Sequence, residues 1–128
     1  MNKVDKNISL TDVKYYKKFN FTPGDLQIFN QLANIGAARN YLTSFDYSRL
    51  NPQTLRSLNV VRNKLEKTDI EVFSLLVNLE DLEIEGNKFY GSLESLKNCT
   101  KLESLIIHCT DINRGIEYLP NSLIFLKT

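Results

Sequence analysis

The sequence predicts an α/β fold: a solenoid with short parallel strands on a concave face and short helices or irregular segments on the convex face, behind a helical N-terminal flank. Two observations carry this. Between Leu79 and Leu102, apolar residues at Leu79, Leu82, Ile84 and Phe89 surround Asn87 with the spacing L-x-x-L-x-L-x-x-N-x-L. The spacing recurs at Leu55, Leu58, Val60, Asn63 and Leu65, and at Leu102, Leu105, Ile107, Thr110 and Ile112. With Leu32 upstream and Leu123 downstream, the starts lie 23, 24, 23 and 21 residues apart. These intervals fall within the roughly 20–29 residues of a turn made of one strand and one return segment.

Geometry explains each position. Side chains alternate along a strand, so Leu82 and Ile84 point inward while Asp81, Glu83 and Glu85 point out. The Asn follows where the chain leaves the strand. Its amide both donates and accepts, so it can satisfy backbone groups that a buried turn leaves unpaired. Asn40, Asn63 and Asn87 are expected to stack as a structural ladder. Thr110 replaces Asn in the next copy, and a hydroxyl does only part of that work, so a looser turn is expected there.

Taken in order, residues 1–31 form an N-terminal flank, partly helical, and residues 32–128 an array of about four repeats plus a truncated fifth. Residues 1 to about 24 do not fit the spacing. Lys14, Lys17 and Lys18 beside Tyr15, Tyr16 and Phe19 are read as a solvated face with aromatics covering the end of the core. Thr22-Pro23-Gly24-Asp25 has the chemistry of a helix start, which predicts a short helix from about Pro23 to Gln31. Leu32, Ile35, Ala37, Asn40 and Leu42 then form a degenerate first copy. Asn51-Pro52 marks a turn. Thr68 with Glu71 three residues on has capping-box spacing and predicts a short helix that faces Ile70, Phe73 and Leu76 to the core. Gly91 and Gly115 open the later returns. The last strand, from Leu123, is cut off at Thr128. Its apolar edge is expected to be continued by further repeats or covered by a partner, and left bare it invites self-association.

Composition gives a broad class. The chain has 128 residues, a net charge of +1 and 42% hydrophobic residues, as expected of one ordinary soluble domain. It has no apolar run long enough for a membrane span and no signal-peptide core. Cys99 and Cys109 lack framework spacing, which favours a reducing, cytoplasmic setting. The sequons at Asn7, Asn20 and Asn98 are then coincidental.

Candidate chemistry is sparse. His108, Cys109 and Cys99 supply at most three zinc ligands without compact pair spacing. One histidine, no serine elbow and no phosphate loop leave no catalytic constellation. The reading is no enzyme, no metal and no cofactor.

The runs Asn87-Lys88-Phe89-Tyr90-Gly91-Ser92-Leu93, Asn98-Cys99-Thr100-Lys101-Leu102 and Gly115 to Leu123 resemble the expanded intracellular fungal group of leucine-rich-repeat proteins. The likeness extends back through Ser44 to Pro52, so it covers roughly residues 42 to 128. Asn-x-Phe-x-Gly-x-Leu is also similar to repeats of plant receptor kinases, although Glu94 stands where those usually carry proline. The resemblance implies protein binding, sometimes beside a kinase-like domain in the same polypeptide.

The expected function is therefore a protein–protein interaction module without activity of its own. The alternative is a substrate-recruiting or regulatory segment of a larger enzyme such as a protein kinase. The expected binding face comprises Asn59, Val61, Arg62, Asp81, Glu83, Glu85, Ser104, Ile106 and His108. From Glu66 to Glu103 nine acids oppose four lysines, so nucleic acid is not expected there. The expected partner is another protein with a basic and apolar patch, not a membrane.

Overall fold

The computed structural model describes residues 7–9 and 32–128. Six strands form one parallel sheet in the order β1 (Asn7–Ser9), β2 (Asn34–Gly36), β3 (Ser57–Asn59), β5 (Asp81–Glu83), β7 (Ser104–Ile106) and β8 (Phe125–Lys127). A second, two-stranded parallel sheet joins β4 (Thr68–Asp69) to β6 (Phe89–Tyr90). The sheet does not close into a barrel: its order runs from β1 at one edge to β8 at the other.

The apolar spacing is what sets the register. Ile35, Leu58, Leu82 and Leu105 stand opposite one another at the strand centres, and all are buried. The residues three before them (Leu32, Leu55, Leu79, Leu102) and two after (Ala37, Val60, Ile84, Ile107) are buried as well. Side chains on either side of a strand residue must face away, so each strand is locked with one face in the core.

The chain returns through four short 3₁₀ turns, Tyr47–Arg49, Ile70–Phe73, Leu93–Leu96 and Ile116–Tyr118. They send Leu50, Ile70, Phe73, Leu93 and Leu96 into the same apolar cluster as the strands. No α-helix occurs among the described residues, which corrects the expectation of short convex helices. A single turn suffices to face two apolar residues inward, and the return has no length for more. The cap also differs. Asp69, not Thr68, accepts the Glu71 amide at 2.9 Å, because Thr68 is held in β4 opposite Phe89. Asp46 and Ser92 cap their turns in the same way. The Tyr47, Phe73 and Phe89 rings meet at centroid distances of 5.3 to 6.2 Å.

Where each strand ends, the backbone enters the left-handed region at Arg39 (φ 57°), Arg62 (54°), Gly86 (73°) and Cys109 (55°). Only Gly86 is suited to it without steric cost. A Cβ there would lie 3.0 Å from the Arg62 side chain of the preceding turn. The asparagines follow directly. Asn63 donates to the Ala37 carbonyl at 2.8 Å and to Val60 at 2.9 Å, and accepts the Leu42 amide at 3.1 Å. Asn87 repeats the pattern one turn on, donating to Val60 at 2.7 Å. Asn40 donates to the Ala37 carbonyl at 2.9 Å. Each such bond is worth about 1 kcal/mol net, and losing one partner of a buried pair costs about 1–3 kcal/mol.

β1 was not expected from the spacing, yet Asn7–Ser9 pairs in register with Asn34–Gly36. The predicted Pro23–Gln31 helix and the lysine–aromatic stretch at residues 14–19 lie outside the described residues.

Candidate functional site

One face of the sheet is turned to the core, and the other presents rows of side chains set by the register. Asn34, Ser57, Asp81, Ser104 and Phe125 form one row; Gly36, Asn59, Glu83, Ile106 and Lys127 form the next. Continuing the register brings Val61, Glu85 and His108 into a third. The sequence-predicted residues are thus brought together on one face, except that Arg62 lies in the left-handed turn beyond its strand.

Asp81 sits between two hydroxyl-bearing neighbours. Ser57 donates to its Oδ2 at 3.2 Å. Desolvation raises its carboxyl pKa, and hydrogen bonds from Ser104 and Ser57 oppose the rise. Glu83 is half-buried and, among the described residues, has no hydrogen-bonding or ion-pair partner for its side chain. Desolvation raises its carboxyl pKa as well, reinforced by the charges of Asp81 and Glu85. Ile106 stands opposite Glu83 in the neighbouring strand and is also half-buried.

Glu85 corrects the expectation of three equivalent exposed carboxylates. It is only 8% exposed. Its Oε1 lies 3.4 Å from the Arg62 guanidinium and 3.6 Å from Lys127 Nζ. Its charge is matched within the chain, so it does serve folding. His108 is exposed, and its Nδ1 lies 3.1 Å from the Thr128 carbonyl oxygen. Cys109 is exposed, whereas Cys99 is buried against the Phe73 carbonyl in the return segment, and both thiols are free.

Lys127 and Phe125 were missed in the binding face. The signal existed: carried into the truncated copy that begins at Leu123, the spacing makes residues 125 and 127 outward positions. Phe125 is 52% exposed beside Ser104.

Among the described residues, no group of His, Cys, Asp and Glu is placed to hold a metal ion. No helix among them is long and apolar enough to cross a membrane. What the face offers chemically is two desolvated carboxylates, three hydroxyl or amide groups at Ser57, Asn59 and Ser104, and an apolar side chain at Ile106. Such a set accepts hydrogen bonds from a cation while packing against an apolar neighbour. No protein-family model matches the chain, and no curated protein matches it.

Proposed function

We propose that this chain is a leucine-rich-repeat solenoid of the kind found in the intracellular fungal group, and that the outward face of its parallel sheet binds another protein. In this reading it has no catalytic activity of its own and works in the cytoplasm, which suits two unpaired thiols. The partner presents a Lys or Arg beside an apolar side chain. The supporting observation is Glu83: a half-buried carboxylate beside Asp81, with no cation from its own chain, next to Ile106. Burying such a group is unfavourable for the isolated protein, and an incoming cation relieves that cost.

The test leaves Glu85 intact, because it already pairs with Arg62 and Lys127. The immobilised chain captures partners from a cell lysate at low salt. Changing Asp81 and Glu83 together to Ser should slow capture most visibly at low salt, because charges at an interface act chiefly on association. Ile106→Ala should shorten retention, as loss of a packed anchor does. A control pair on the opposite side, Glu71→Ser with Glu94→Ser, should capture normally. If the control pair loses the partners and the sheet variants keep them, the binding face is the convex one.

A further inference from the structure

The described cations divide into two sets. Arg49, Arg56, Arg62, Lys97 and Lys127 each face a carboxylate of this chain. Arg39, Lys64, Lys67 and Lys88 are exposed and face none among the described residues. These four are not scattered. Arg39 lies in the left-handed turn of one copy, and Lys64 and Lys88 directly follow the ladder residues Asn63 and Asn87 of the next two. Lys67 precedes Thr68, whose amide donates to the Lys88 carbonyl at 3.0 Å. All four therefore lie on the flank where the chain leaves the sheet.

Two exposed tyrosines hold this flank in place. Lys64 Nζ stands over the Tyr41 ring at 5.4 Å from its centroid, and Lys67 Nζ over Tyr90 at 5.2 Å. A ring attracts an ammonium group through its quadrupole. It positions the charge without cancelling it, as a carboxylate would. The flank is thus an ordered, uncompensated positive surface, separate from the acidic face of the sheet.

We infer that this flank is a second docking surface, and that it takes an extended acidic peptide segment of a partner protein. Successive turns here are joined by backbone hydrogen bonds, as at Lys64 to Leu42 (2.9 Å), so their residues repeat at about 4.8 Å. An extended peptide presents one-sided carboxylates about 6.7 Å apart, within reach of flexible lysines along that run. Glu66 and Asp111 interrupt the patch and are exposed. They would oppose a continuous phosphate chain, whereas a peptide can place its carboxylates between them.

The probe is a fluorescein-labelled peptide of alternating glutamate and serine, followed by fluorescence anisotropy with the full chain. Saturable binding is expected at about 20 mM salt, weakening about tenfold or more by 200 mM as exposed charges are screened. Changing Lys64, Lys67 and Lys88 together to Gln should weaken it at least tenfold, and Lys88→Gln alone about threefold, without a risk to folding. Asp81→Ser with Glu83→Ser should leave it unchanged, so failure here is distinct from failure of the sheet-face reading. Absence of binding at low salt overturns the inference, as does undiminished binding by both Gln variants. Tighter binding of an oligothymidylate of equal charge, lost in the triple variant, also overturns it and assigns the flank to nucleic acid.

Discussion

Asn87 and Thr110 occupy the same place in successive turns, yet they tie the chain together differently. Asn87 reaches into the preceding turn, donating to Val60 at 2.7 Å, and its Oδ1 lies 3.5 Å from the Leu65 amide. Thr110 donates to Ile107 at 2.6 Å, and its Oγ1 lies 3.4 Å from the Ile112 amide. Both of those contacts stay within its own turn. The packing changes in step. Leu82 and Ile84 are sealed between neighbours, whereas Ile116 and Ile124 of the last turn are 59% and 83% exposed. Cohesion in this fold is therefore a property of pairs of turns: the same residue pattern protects its core only where another turn lies on each side.

The sharpest way to break that comparison is at the core. Leu82→Ala should cost about 4 kcal/mol, since the site is closed on all sides and a cavity remains. Leu126→Ala, in the half-buried last strand, should cost about 1 kcal/mol. Urea unfolding midpoints measure both, and equal losses would show that the last turn is as well packed as the centre.

The ladder comes second in size. Asn87→Ala should cost about 3 kcal/mol, because it strips partners from the Val60 carbonyl and the Leu65 amide at once. Thr110→Asn should instead gain up to about 1 kcal/mol by extending the ladder to the Ile84 carbonyl of the turn before. Thermal melts of the two variants should move in opposite directions.

The smallest effect concerns the sheet face and depends on pH. Asp81 and Glu83 titrate higher folded than unfolded, so the folded chain binds protons more readily in that interval. Their ionisation therefore lowers stability as pH rises from the ordinary carboxyl value through the raised folded one. Glu83→Gln should be more stable than the native chain at pH 7, by a fraction of about 1 kcal/mol because the group is half in solvent. The difference should vanish below about pH 4, where the carboxyl is protonated in both states. The pH dependence of the urea midpoint reads this directly, and a pH-independent gain would mean that packing, not charge, is responsible.

Leu58, Leu82 and Leu105 were legible in the sequence because their spacing allows each only one face, and the strand register follows from it. Other features depend on partners far along the chain. Nothing local to Glu85 reveals that Arg62 and Lys127 close on it, and the spacing alone made it equal to Asp81 and Glu83. The cap at Asp69 was obscured because Thr68 has equally good capping chemistry, and only its pairing with Phe89 removes it from that role. β1 carries one apolar residue, Ile8, in three positions, too few to announce a strand.

The burial of Cys99 has one more consequence. Its thiol, fully enclosed in the return segment, has its pKa pushed up to about 11 by desolvation, so it is a poor nucleophile while the convex side stays closed. Cys109 stands in solvent at the end of the sheet side of the next turn. The chain thus carries its own pair of chemical clocks. Alkylation at Cys109 runs with the reagent, and alkylation at Cys99 waits for the stacked returns to part, so the lag between them times the breathing of the core.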